Sequence, residues 1–185
     1  TAPAGEVMSF EFRVCEYEMD HEAYVDFLLR HHDDLHLPYP FAVKLGFISS
    51  PLFLGKAILA ISEESYQLVG AAGFGYGTGS GNYEDQHICQ IEVAFIEKEL
   101  RRTTLFVKGL RVLVDAIQAG NSDVRQVQFW APSEHKDLNR LFAKFLALPG
   151  STKTIVNNLV LYALPFNELK AYCHHLGSRM KSESD

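Results

Sequence analysis

Cysteine is scarce in this 185-residue chain: Cys15, Cys89 and Cys173 are odd in number, far apart and in no metal-ligand spacing. That pattern excludes a disulfide scaffold and a structural zinc, and reduced thiols in a cytoplasm are the simplest reading. Long hydrophobic runs are missing too. Gly, Lys or Ser interrupts every apolar stretch well before the roughly 18 residues a membrane span needs, so no membrane partner is expected. The first residues show no basic segment followed by an apolar block and a small-residue cleavage site, so export is not expected either. Positive charge is the minority sign, with 17 Lys+Arg against 23 Asp+Glu and a net charge of -6. A protein that neutralises many phosphates carries the opposite balance, which argues against nucleic acid but leaves open a local basic cluster gripping one small anion. Glycine is plentiful at Gly70, Gly73, Gly75, Gly77, Gly79 and Gly81, yet from Gly73 onward it falls only on odd positions. GxGxxG cannot form there, GxxxxGK[ST] is absent, and dinucleotide and P-loop readings fail.

What is present is the composition of one globular domain, with 47% hydrophobic, 22% charged and 12% aromatic residues. A chain of this size buries roughly 70% of the surface its unfolded form exposes, so a core suffices without metal or disulfide. A single domain over 8–176 is expected, with Met8 read as the native start, 1–7 outside the fold and 177–185 a frayed polar tail. Ser9–Tyr17 alternates as a half-buried strand, and Asp20 is the expected N-cap of a helix over His21–His32. A Pro-rich turn and a short or broken helix over Phe41–Phe53 follow. Lys56–Ser62 and Tyr66–Tyr76 read as a hairpin running into a flexible glycine loop, a candidate lid, over Gly77–Asn82.

Ile88–Ile96 is the next strand, with Ile91, Val93 and Phe95 expected on one face and Gln90, Glu92 and Ala94 on the other. A helix from Thr103 to Gln118 shows the clearest apolar stripe, through Phe106, Leu110, Leu113 and Ile117. Val124–Ala131 is a fifth strand, stopped by Pro132, and Ser133 caps a helix carrying Leu138, Leu141, Phe142 and Phe145. Ile155–Leu164 is a last strand, its exposed edge leaving a homodimer open, and Phe166–Leu176 a last helix. This order is mixed α/β, with antiparallel hairpins and one helical crossover between the fourth and fifth strands. The run His31, His32, Asp33, Asp34, His36 invites a metal, but only His32 and His36 have an i, i+4 relation and the helix ends between them, so no metal is assigned. Trp130 either flanks a cleft or fills the core.

The segment Ile88–Ile117 carries a strand, acidic positions, the pair Arg101-Arg102 and an apolar helix. In that order it resembles the GNAT superfamily of acyl-CoA-dependent N-acyltransferases, over Ser9–Leu164. The resemblance implies a mostly antiparallel sheet of six to seven strands, splayed between the fourth and fifth, with helices on both faces. It implies acetyl-CoA as co-substrate and a small amine or a lysine side chain as acceptor, the acidic surface suggesting a cationic one. In the family's pyrophosphate motif two small residues follow the Arg; here Thr104 and Phe106 stand in their places. The physical basis needs no family: a helix N-terminus offers unpaired N–H groups and partial positive charge to an anion. Arg101, Arg102, Thr103, Thr104, Leu105 and Phe106 are the pyrophosphate candidates. Alternatively, Thr103 only caps the helix and the arginines are solvated or paired with Glu97 and Glu99.

Acyl transfer needs a general base for the amine and donors for the oxyanion. The resemblance implies a basic carboxylate near Glu92, the base candidate unless it lies on a solvated sheet face, and a splayed strand whose backbone at Phe95, Ile96 and Glu97 holds the pantetheine arm and thioester. The family's acid, a tyrosine, is matched by Phe142, which has no proton to give; His135 or Tyr162 could replace it, or the thiolate, with a pKa near about 8.5, leaves unaided. An inactive module of the same fold that binds CoA or a protein is the alternative.

Overall fold

The computed structural model describes residues 8–134 and 136–182. His135 lies outside the described residues, so its candidacy as acid acquires no geometry. Seven strands, β1 (Phe10–Val14), β2 (Gly55–Ser62), β3 (Leu68–Tyr76), β4 (Ile88–Ile96), β5 (Gln126–Pro132), β6 (Thr152–Val156) and β7 (Leu159–Pro165), form one sheet in the order β1-β2-β3-β4-β5-β7-β6. All neighbours are antiparallel except β4 and β5, which run parallel. A parallel neighbour requires a crossover, and the helix α4 (Thr104–Gly120) supplies it.

Helices cover both faces. On one face α1 (Glu18–Arg30), α2 (Phe41–Ser49) and the single turn α3 (Pro51–Leu54) lie against β2–β4, with Tyr24, Phe27, Leu28 and Ile48 meeting Ala57, Leu59, Ala71, Val93 and Phe95. On the other, α4, α5 (Lys136–Leu146) and α6 (Phe166–Ser182) pack Leu113, Val114, Ile117, Phe142, Phe145 and Leu169 onto Phe74, Cys89, Val127, Val160 and Tyr162. The α4 stripe is therefore the one its three-and-four spacing predicts.

Several expectations need correction. Asp20 does not cap α1; the helix begins at Glu18 after Tyr17, and the Asp20 carboxylate reaches back to accept from the Glu16 and Tyr17 N–H groups at 3.3 Å each. An acid three residues into a helix satisfies orphan donors from inside, which sequence cannot tell from a cap. The last strand is a hairpin, β6 and β7, joined at Asn157-Asn158 with Asn157 at φ 56°. The edge at this end of the sheet is therefore β6, while β7 is an interior strand. The polar tail is helical as far as Ser182, because α6 continues beyond Leu176.

The glycine loop after β3 is not loose. Asp85 accepts from the Thr78 N–H at 2.7 Å and its hydroxyl at 2.5 Å, and Thr78 Oγ1 accepts in turn from the Gly81 N–H at 3.2 Å. Those donors hold the Asp85 carboxyl below the usual carboxylate range.

Gly73 is required by a close approach. A Cβ there would lie 2.3 Å from Tyr24 Oη and 2.6 Å from Pro51 Cγ. The Tyr24 hydroxyl is fully buried without a hydrogen-bond partner among the described residues. Gly73→Ala is thus expected to destabilise by about 1–3 kcal/mol through overpacking. Tyr24→Phe, which deletes the orphan hydroxyl, is neutral or stabilising by about 1 kcal/mol and relieves part of the Gly73→Ala cost. Urea midpoints of the two single variants and the double variant check the cycle.

Candidate active site

The parallel pairing of β4 with β5 lasts for three residue pairs, Ile88↔Gln126, Cys89↔Val127 and Gln90↔Gln128. Beyond them both strands continue, β4 to Ile96 and β5 to Pro132, without bonding to one another. The sheet is therefore open between them from Glu92 onward.

The register between β3 and β4 slips at the same height, Gly73 facing Val93 while Phe74 faces Ile91, which leaves Glu92 as the extra residue of a bulge. The extra residue reverses the alternation. Cys89 and Ile91 pack with Phe74 on the α4 side, whereas Val93 and Phe95 pack with Phe27 on the α1 side. The expected single row of Ile91, Val93 and Phe95 is thus broken in the middle, and no period-2 pattern reveals an inserted residue.

Glu92 lies at the apex of the opening. Gln90 Nε2 donates to Glu92 Oε1 at 3.1 Å, Gln128 Nε2 donates to Gln90 Oε1 at 2.8 Å, and Gln126 Nε2 donates to Gln128 Oε1 at 3.2 Å. The carboxylate sets the direction of this chain: it only accepts, so Gln90 must turn its NH2 toward Glu92 and its carbonyl toward Gln128. Burial pushes the Glu92 carboxyl above its ordinary value, and the Gln90 bond pulls the other way. A carboxylate held up toward neutrality suits proton abstraction. Gln90 was legible as a face-mate of Glu92; Gln126 and Gln128 are functional candidates missed from sequence, where polar residues alternating with Val127 and Phe129 were the available signal.

The backbone candidates divide. Glu97 N–H donates to Val69 O at 2.9 Å, and by ladder alternation Phe95, opposite Ala71, also turns its main chain toward β3. Ala94 and Ile96 therefore turn theirs into the opening. The Ile96 carbonyl accepts from Arg101 Nε at 2.8 Å, and the guanidinium lies 5.2 Å from the centre of the Phe95 ring. Of Phe95, Ile96 and Glu97, only Ile96 faces the gap, joined by Ala94.

At the head of α4, Thr103 does cap, its Oγ1 accepting from the Leu105 N–H at 3.3 Å and donating to Leu100 O at 2.7 Å. Leu105 is thereby satisfied, but the N–H groups of Arg102, Thr104 and Phe106 have no acceptor among the described residues. Nor do Arg101 and Arg102 pair with Glu97 or Glu99 there. The bulky residues at the small positions do not plug the corner. Leu105 turns into the Phe10, Phe12 and Ile96 cluster, Phe106 packs against the α4-side core, and Arg101, Arg102 and Thr104 are exposed.

Tyr162 stands apart from Glu92. It stacks on Phe129 at 5.2 Å and lies 4.8 Å from Phe142, on the sheet face opposite the Gln128 side chain, 1% exposed and with its hydroxyl pushed up by burial. Phe142 is buried in the same aromatic cluster. The structure does not bring Tyr162 and Glu92 together. Among the described residues no group of His, Cys, Asp and Glu could hold a metal, and His31 instead stacks on Phe95 at 4.5 Å. No helix among them is long and apolar enough to cross a membrane.

No family model matches this chain, and no curated protein matches it by sequence. Solved structures do. The ribosomal-protein-S5-alanine acetyltransferase of Vibrio fischeri matches 89% of this chain over 100% of its own, with TM-score 0.58 and 10% identity. An acetyltransferase of the GNAT family from Staphylococcus aureus Mu50 matches 84% over 99%, with TM-score 0.59 and 14% identity. The yncA protein of Salmonella typhimurium, solved with its cofactor acetyl-CoA, matches 87% over 95%, with TM-score 0.53 and 16% identity. The chain has the fold of the GNAT acetyltransferases.

Two outcomes follow for Glu92. Gln90→Leu removes the bond that lowers its pKa, so the Glu92 carboxyl is expected to titrate higher still, read by carbon NMR of the labelled side chain. Because the folded pKa lies above the unfolded value, the folded state binds the proton more tightly. Stability is then lost as pH rises from the unfolded toward the folded pKa. Glu92→Gln should accordingly be more stable than the parent above that window, with the advantage vanishing below it, in urea melts run across pH.

Proposed function

We propose that this protein is an N-acyltransferase that moves an acetyl or other short acyl group from coenzyme A to an amine. The observation that carries the reading is the opening between β4 and β5, with Glu92 at its apex and uncovered N–H groups at the head of α4 beside its other end. Three N–H groups without acceptors among the described residues, an Arg102 in no ion pair there and an exposed Thr104 make a place for a diphosphate despite the missing small residues.

In this reading Arg102, Thr104 and Phe106 bind the diphosphate through main-chain N–H groups, and the Arg102 side chain adds charge. Thr103 and Leu105 shape the turn without donating. Arg101, anchored on the Ile96 carbonyl, fixes the strand end and lends the field of its guanidinium. The pantetheine arm lies along the main chain of Ala94 and Ile96. Glu92 accepts a proton from the amine, whose lone pair attacks the thioester carbon. The Ile96 N–H steadies the oxyanion, the C–S bond breaks, and the thiolate departs. With Phe142 where an acid would stand and Tyr162 enclosed, the thiolate leaves without protonation by either.

Buried Phe142 also favours a second reading, a CoA-binding module of this fold without turnover. Calorimetric titration and a thiol-release assay separate the two. For the enzyme, acetyl-CoA and desulfo-CoA both bind, and Glu92→Gln slows thiol release about 100-fold or more at the pH optimum while binding persists. Arg102→Ala weakens binding roughly tenfold, the size of one charge-assisted contact. Binding with no acyl product from any amine identifies the module, and no heat with either ligand removes both readings.

A further inference from the structure

Helices α1–α3 cover the sheet only as far as β4, so one face of β5 and β7 is left bare beside Glu92. A cleft of about 360 Å³ occupies that place, with Thr78, Ser80, Gln90, Gln128, Trp130 and Leu161 in its lining. This lies within the range of small-ligand pockets. It adjoins Glu92 through Gln90, which is both a wall of the cleft and the donor to Glu92.

The chemistry of the lining is selective. Asp85 is its one carboxylate, and both oxygens are already engaged by Thr78, so it offers little to a second ammonium. A polyamine would leave a cation there without a counter-charge, at considerable cost. Gln90 and Gln128 are different. Each has one N–H and one carbonyl lone pair committed to the chain that ends on Glu92, which leaves one N–H and one lone pair apiece. A hydroxyl donates and accepts at once and answers both, whereas an ammonium only donates. The hydroxyls of Thr78 and Ser80 stand on the loop opposite, and Trp130 contributes a broad apolar face next to Leu161. Its floor is the pleated face of β5 and β7, whose main chains bond each other.

We infer that this cleft receives the acyl acceptor, and that the acceptor is an amine borne on an uncharged, hydroxyl-bearing ring: an amino sugar. The ring rests on Trp130, its hydroxyls meet the Gln90 and Gln128 amides, and its amine is directed to Glu92. This rests on the acyltransferase reading for the role of the amine, but not for binding.

Trp130 is the only tryptophan in the chain, so its emission reports on the cleft alone. The full chain is titrated without acyl donor with glucosamine, spermidine and a lysine-containing dipeptide, by tryptophan emission and by calorimetry. A saturable response to glucosamine at least tenfold tighter than to the other two is expected. Gln128→Leu should weaken it at least tenfold with an unchanged thermal melt, and Trp130→Phe, followed by calorimetry, should weaken it several-fold. Preference for spermidine or the dipeptide overturns the inference, as does the absence of saturation by glucosamine up to its solubility limit. So does glucosamine affinity unchanged in a folded Gln128→Leu or Trp130→Phe protein. Failure of acetyl-CoA to bind, tested separately, would remove the acyltransferase reading while leaving this result legible.

Discussion

Everything distinctive in this protein depends on how briefly β4 and β5 hold each other. Three residue pairs join them, and then the two parallel strands part within one continuous sheet. A strand that loses its neighbour exposes main-chain N–H and C=O groups that must find water, a side chain or a ligand. Here one of those groups, the Ile96 carbonyl, is met by Arg101, and the others face the gap. The parting is tolerable because neighbouring ladders are long: β3 holds β4 over nearly its full length, and β7 does the same for β5.

The bulge at Glu92 belongs to the same arrangement. An inserted residue bends and twists the strand that carries it, and the twist turns β4 away from β5 just after their last pair. It also sends Val93 and Phe95 to the α1 side, where they join Phe27, Leu28 and Ala71. One irregularity therefore divides the strand into a half that packs under α4 and a half that packs under α1. At the junction a carboxylate is left partly buried, short of partners except Gln90, and raised toward the protonated form. Across that junction the Gln126, Gln128 and Gln90 amides run in one direction, linking the end of the paired segment to the start of the open one.

At the other end of β4 the chain passes through a single tight turn over Lys98–Leu100 into α4. At this corner Thr104 and Phe106 replace small residues, yet Leu105 and Phe106 are drawn into hydrophobic clusters and leave the amides uncovered. Burial of a side chain on the inner face of a helix frees its outer face; the motif's spelling matters less than where its bulk goes. The loss of a tyrosine at Phe142 is a different matter, since the aromatic cluster of Phe129, Phe142, Phe145 and Tyr162 fills the space with groups that hold no accessible proton.

The amino-acid order by itself determined the strands and helices whose periodicity is strong, among them β4 to the residue, the α4 stripe and the alternating β5. Through the family resemblance it also pointed to Glu92, and it marked the Arg101–Phe106 turn, whose charge and cap are written in neighbouring residues. The tertiary structure alone decided what depends on partners distant in the chain. It set the register slip that makes Glu92 a bulge, the meeting of Gln90 with Gln128, and the choice between Ile96 and its neighbours as the group facing the gap. It also enclosed Tyr162 away from the carboxylate. Periodicity reports which face a residue prefers, but a face is defined only by the strand paired beside it, and that pairing is settled by the packing of the whole sheet.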